Sequence, residues 1–293
     1  METQRLSPAT LKIIDSYLNL PFPGRTVKAP YYNNRRAALR GGLRVLIGKG
    51  SPEDIAEEAL IISLRERIDL TSLDNETLKK FLVDNKLGID CSGLAYYILD
   101  AECRTRQLGT LKKYIVRPYV KNPLRKLLIT LRPIENTGVK TFGHPLNSSI
   151  VKIADCKPGD IIVMLASGQA HDYDHILVVH EVERQTSPNP SSVEEGKREP
   201  SPSQRRGQGE VSSLTIHYTH SLQWRTDGLY NHGVSQGTIT VTEPTSSLLD
   251  QTWIEKGATG AANETLERAK QAKELHLRRL RFLSHPDPET SSG

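Results

Sequence analysis

The sequence predicts an α+β fold, with helices in the first half of the chain and an antiparallel sheet in the second. Three observations lead there. Apolar residues recur at helical spacing in the first half, as in Ile55, Ala59 and Ile62. Helix-start signals punctuate that half, the strongest being Ser51-Pro52-Glu53-Asp54, with a capping serine, proline at the first helical position and acids in the first turn. From Asp160 onward the period shortens to that of strands.

Residues 8–18 form a first short helix, broken by Leu20-Pro21-Phe22-Pro23-Gly24. Residues 27–34 read as an extended piece containing the pair Tyr31-Tyr32. Residues 35–46 read as helical up to Gly48. A helix follows from Ser51 to about Ile68. The next opens at Asp74, shares a face among Leu78, Phe81 and Leu82, and closes at Gly88. Another starts at Cys91. Residues 104–150 are punctuated by Pro118, Pro123, Pro133 and Pro145, with some helix over 123–131. Strands are expected at 160–164, 175–182, 214–221 and 237–242. Residues 186–213 are rich in Ser, Pro, Glu, Arg and Gly and read as a disordered insert, a tolerated loop more readily than a lid. Residues 264–283 read as an amphipathic basic helix, followed by a polar tail. The expected organisation is thus one domain over 1–255, with a helical insertion over 36–86, an excursion over 104–150 and the insert 186–213. Residues 256–293 would add the helix and tail.

Composition narrows the class. The chain has 293 residues, a net charge of +5 and 5% aromatics. The mild basicity fits an anionic partner without demanding one. No basic run is interleaved with aromatics, so nucleic acid is not an expected partner. No segment approaches the ~20 apolar residues of a membrane span, and the first residues do not read as a signal peptide; a cytoplasmic location is expected, with non-standard export left open. Three cysteines do not make a disulfide framework. No Cys-x-x-Cys or His-Glu-x-x-His spacing is present, so neither a metal nor a cofactor is expected.

The chemistry concentrates in Gly88-Ile89-Asp90-Cys91-Ser92-Gly93-Leu94. A turn becomes an apolar helix with a cysteine at its first position. Backbone N–H groups there lack intrahelical partners and the helix dipole is positive, so the thiol is expected to be biased toward thiolate. Gly88 would supply the turn, Asp90 the cap, and Gly93 the space for another chain to approach the sulfur. A cysteine nucleophile needs a base and a group that orients it. His175 opens an aliphatic strand and is the candidate base; His180, an odd number of residues on, faces away from it. The orienting group would come from the next strand, where His220 and His217 lie on opposite faces. Cys103 and Cys156 read as structural, and His144, His171 and His232 lie in loops.

These pieces, in this order, resemble the NlpC-type family of papain-like cysteine peptidases and amidases. The resemblance rests on Asp90-Cys91-Ser92-Gly93-Leu94, on Pro158-Gly159-Asp160 entering a strand, on His175 before Ile176-Leu177-Val178-Val179, and on His220-Ser221, which fits better than His217-Tyr218. It spans roughly Asp90 to Val241. It implies a papain-like fold and a thiol hydrolase in which Cys91 attacks a peptide, isopeptide or amide carbonyl, His175 moves the proton and His220 orients His175, with Asp90 and Ser92 in support. The family's upstream tyrosine would correspond to Tyr31. The implied substrate is a peptide or peptidoglycan fragment, with a γ-glutamyl or D-amino-acid bond. An acyl or peptidyl transferase on the same scaffold, a non-catalytic binding module, and docking through the C-terminal helix are the alternatives.

Overall fold

Residues 2–34, 43–186 and 211–284 are described by a computed structural model. Alternating apolar residues in the second half build one antiparallel sheet of nine strands: β1 (Glu2–Arg5), β2 (Ser148–Ile150), β3 (Ile161–Ser167), β4 (Tyr173–Thr186), β5 (Val211–Leu222), β6 (Gly233–Val241), β7 (Thr252–Glu255), β8 (Ala258–Thr259) and β9 (Glu274–Leu280). The order is β2-β9-β3-β4-β5-β6-β7-β8. Strand β4 is long enough to share one edge between two partners. Its first half pairs with β3 (Ile161↔Val178), its second with β1 (Glu2↔Arg184).

The helices follow their caps. Ser51 and Asp54 form a reciprocal capping box at the start of α2 (Pro52–Glu66), which succeeds α1 (Pro8–Leu18). Asp74 caps α3 (Asn75–Asp84), and Asp90 caps α4 (Cys91–Thr105) by accepting the Gly93 N–H at 2.6 Å. Helix α5 (Pro123–Leu131) and the single turn α6 (Val139–Phe142) lie in the excursion, and α7 (Glu264–Lys270) follows the sheet's last hairpin. Helix α4 packs on α1 and on β4 and β5. The fold is therefore α+β with an antiparallel sheet, as expected.

Strand periodicity gives the sheet two buried faces. Ile161, Val163, Ile176 and Val178 join the helical core, which contains Leu94, Ile98 and Leu99 of α4. Ile162, Met164, Leu177, Val179, Ile216, Tyr218 and Ile239 form a second core under Trp253, Leu248 and α7. Both faces being covered explains why His175–Val182 reads as a nearly continuous apolar run.

Two expectations need correction. The amphipathic helix expected over 264–283 ends at Lys270, and Glu274–Leu280 is strand β9, inserted between β2 and β3. Leu275 and Leu277 meet one core and Leu280 the other, a period of two that the helical count of leucines concealed. Arg279 clasps the buried Asp160 at 2.7 Å, and Arg278 donates to Ser148. Tertiary pairing thus overrides the helix propensity of Leu, Arg and Lys. The residues assigned to a docking helix are built into the sheet, and a boundary after residue 255 would cut through it. Second, Val45–Ile47 is a single 3-10 turn, and residues 35–42 of the helix expected there lie outside the described residues. So do 187–210 of the expected disordered insert and 285–293 of the polar tail. Strands β1, β2, β7 and β8 were not expected.

Leu280, fully buried, tests the correction. Leu280→Ala should lower unfolding stability by about 2–5 kcal/mol, as for a core residue. A change below about 0.5 kcal/mol in chemical denaturation, the surface value, would return this segment to the solvent.

Candidate active site

The nucleophile turn is held by backbone pairing with a distant segment. The Ile89 N–H donates to Pro30 O at 2.9 Å, Tyr32 N–H to Ile89 O at 3.3 Å, and Asp90 N–H to Gly48 O at 2.9 Å. Tyr31 forms a parallel bridge with Ile89. A Cβ on Gly88 would collide with the Pro30 carbonyl. Close approach is therefore what Gly88 supplies; the left-handed turn residue is Lys86, with φ 61. Gly93 makes room for the Lys49 stem and the Ile89 side chain, each 3.0 Å from where its Cβ would sit.

That room matters because Lys49 is buried at the turn. Its Nζ donates to Asp90 Oδ1 at 2.8 Å and to Ser92 Oγ at 2.6 Å, and Ser92 donates to the same Asp90 oxygen at 3.0 Å. Asp90 thus carries the cap and a buried ion pair together. Breaking such a pair leaves an uncompensated charge, with a loss of about 3–5 kcal/mol, so the turn is rigidly specified.

Cys91 sits where the sheet opens. Strands β4 and β5 pair from Val178↔Thr219 toward the far end of β4. The β4 residues before Val178 have no ladder to β5, and the backbone of Ile176, with that of Ser92, acts on the Cys91 thiol to lower it. Ser221 Oγ of β5 donates to Ile89 O at 2.8 Å. The start of α4 is thereby wedged into the splay, with its sulfur against the residue that follows His175. Cys91 is 6% exposed. Burial, with the Asp90 charge second, pushes its thiol up to about 12, against the lowering effects of Lys49 and these two backbone groups. The thiolate bias expected from the helix N-terminus is thus overturned: desolvation outweighs the dipole, and the resting group is a thiol.

On β4, β5 and β7 the sheet lines up a chain of buried polar groups. His175 Nε2 lies 2.7 Å from His220 Nδ1, and His220 Nε2 lies 3.0 Å from Glu255 Oε1. Glu255 accepts three further bonds, from Ser235 Oγ (2.9 Å), Tyr218 OH (3.0 Å) and Thr265 Oγ1 (2.7 Å). Burial alone would raise this carboxyl, but the His220 charge and these donors bring it down to about 2. Burial drives His175 well below its ordinary value, so its ring is neutral. In the tautomer in which His220 carries its hydrogen on Nε2 and donates it to Glu255, His220 Nδ1 accepts from His175 Nε2–H. The Nδ1 of His175 is left with a lone pair, and the chain can receive a proton there.

Tyr31 is also brought to the site. Burial raises its phenol above the ordinary value, and Cys91 is the next group that acts on it. Its N–H donates to His232 Nδ1 at 3.0 Å. The Arg268 guanidinium lies 5.2 Å over the Tyr173 ring, donates to Gln223 O at 2.7 Å, and acts on both His175 and Tyr31. Tyr173 and His175 are two residues apart on β4, so Arg268 stands beside the base.

His217 does not join the site. It lies on the opposite face, near His180, whose ring meets Thr219 Oγ1 at 3.0 Å. His217 forms, with Glu181 and Glu183, a group whose ligand atoms lie within 4.8 Å of one another. This is the one metal-capable cluster among the described residues, and Glu181 is already clasped by Arg5 at 2.9 Å. Cys103 and Cys156 are buried in the two cores. His144 and His171 make local loop bonds, to Leu146 N–H and Ala166 O.

Sequence reasoning missed Glu255 and Lys49. Glu255 ends a four-residue strand, Thr252-Trp253-Ile254-Glu255, whose buried positions are Trp253 and Glu255. A carboxylate on the apolar face of a short strand was the available signal. Lys49 carries no signal outside its fold. No family model, curated protein or solved structure matches this chain. Among the described residues no helix is long and apolar enough to cross a membrane.

Glu255 should dominate acid stability. Its folded value of about 2 lies below its ordinary 4.5. The stabilisation is therefore complete above about pH 4.5 and is lost as pH falls toward 2, amounting to about 3 kcal/mol. Glu255→Gln should lower stability by roughly that amount at pH 7 and flatten the curve across this window. Parallel wild-type and variant curves would refute it.

Proposed function

We propose that this protein is a thiol hydrolase of peptide, isopeptide or amide bonds, built on a papain-like arrangement. The observation that carries the reading is the wedging of Cys91, at a helix start, against β4, which bears His175, with His220 on the neighbouring β5 and Glu255 on β7. An inert buried cysteine needs no such proton chain, and a chain of two imidazoles closed by a carboxylate is an expensive thing to bury without a use.

In the reaction His175 Nδ1 takes the thiol proton as sulfur attacks the carbonyl carbon. The N–H of Cys91, unpaired in the helix as its first residue, is a donor for the oxyanion. Collapse of the tetrahedral species breaks the C–N bond, and the imidazolium returns its proton to the departing amine. Water then attacks the thioester, giving its proton to His175; the acid is released and the thiol restored. His220 and Glu255 hold the base in the required tautomer and stabilise the imidazolium. Because thiol and imidazole rest neutral, proton transfer accompanies attack. Arg268 beside His175 favours substrates with a carboxylate near the scissile bond, in keeping with γ-glutamyl or other peptide fragments as the substrate class.

Iodoacetamide at pH 7.5, followed by peptide mass mapping of the native protein, tests the pairing without a known substrate. Cys91 should alkylate ahead of Cys103 and Cys156, and His175→Ala should slow it by about tenfold or more. Equal rates at all three cysteines, or no effect of His175→Ala, would sink the proposal.

A further inference from the structure

Away from the catalytic chain, a cavity of about 480 Å³ opens between the segment 26–28, the first turns of α3 and the turn 227–231. Lys28, Lys79 and Lys80 line it, with Glu76 and Asp227 as its acids. Both acids are already engaged. Glu76 pairs with Lys80 at 2.7 Å, and Asp227 is held through both oxygens at 2.8 Å by Lys256, which lies 4.6 Å over the Trp224 ring. Lys28 and Lys79 have no carboxylate within ion-pair distance among the described residues. Lys79 is 7% exposed, and its Nζ donates to Lys28 O at 2.8 Å. That single bond uses one of three ammonium donors. Two lysine amines, one buried and one half-buried, thus share one cavity wall with no carboxylate paired to either, a donor arrangement that an anion from outside would satisfy.

We propose that this cavity binds a phosphate-bearing small molecule, its oxyanion seated between the Lys28 and Lys79 amines. Compact ammonium groups suit phosphate, which has the charge to satisfy both, whereas one carboxylate does not. The volume is that of a small-molecule site. Asn75, whose Oδ1 is fixed by the Thr26 N–H at 3.2 Å, keeps its NH₂ as a further donor at the rim.

Burial, and Lys28 after it, pull Lys79 down to about 6. The groups that act on it are Lys28 and Lys256, which lower it, and Asp227, which raises it. His232, itself held to about 4 by burial and by Lys79, lies behind. Lys79 is therefore mostly neutral near pH 7, and an arriving oxyanion raises it. Binding then takes up a proton. The inference does not rest on the catalytic reading.

Calorimetry of the full chain with inorganic pyrophosphate at pH 7.5, in two buffers of different ionisation enthalpy, decides it. Saturable binding with proton uptake is expected, weakened about tenfold or more by Lys28→Gln, a half-buried position at which thermal melting should show the fold retained. Lys79→Met, which keeps the stem, should abolish the proton uptake; if it fails to fold, Lys28→Gln still decides. No saturation by about 10 mM pyrophosphate, an unchanged affinity in Lys28→Gln, or equal binding of acetate would overturn the proposal.

Discussion

A single carboxylate, Glu255, organises the half of this molecule that holds the candidate site. It is fully buried and accepts four hydrogen bonds, from His220 and Tyr218 on β5, Ser235 on β6 and Thr265 on α7. A charge in that position is tolerable only when its oxygens are satisfied. Two donors per oxygen meet that requirement and join three elements besides its own strand. Thr265 is itself held by the Trp224 indole N–H, so the turn after β5 is drawn into the same network. Gly237 has no side chain because the Tyr218 hydroxyl fills the space where one would stand. The direction of every hydrogen bond out to His175 follows from where Glu255 keeps its charge.

Cys91 is positioned by a separate device on the other side of the splay. Asp90 caps α4 and pairs with Lys49, and the turn is clamped between Pro30 and Gly48. The arrangement trades reactivity for placement. Asp90 is needed for the cap, yet its charge helps raise the thiol, and Lys49 offsets this only in part. The sulfur is therefore held in place as a thiol, and under the proposed function the lone pair on His175 would take its proton.

How far all this was legible in the sequence depends on whether the signal is local. The caps at Ser51, Asp74 and Asp90 act through neighbouring residues, and each is found where the sequence places it. His175 and His220 follow from strand phase, since the alternation that buries Leu177 and Tyr218 puts the two histidines on one face. Of the two candidates, His220 is the one that reaches His175, and His217 lies on the other face. Glu255 was not legible, because its strand has four residues and its partners lie on β5, β6 and α7. Strand β9 was misread because Leu266, Ala269 and Leu280 satisfy a helical count that Arg279 and Asp160 overrule across the sheet. Tyr31 could be placed only by analogy; the physical cause of its position is the pairing of the segment around Pro30 with Ile89, across all of α2 and α3.

The insertion of β9 between β2 and β3 has a consequence for how the molecule is made. Strand β3 pairs with β4 on one edge, and its other edge is filled by residues synthesised more than a hundred positions later. While a ribosome is still translating the residues between, β3 presents an apolar, unpaired edge, the kind of template on which chains associate wrongly. Productive folding of the sheet thus waits for the emergence of residues 274–280. A nascent chain truncated before them would be a substrate for holding chaperones, and the enzyme-like site would assemble last.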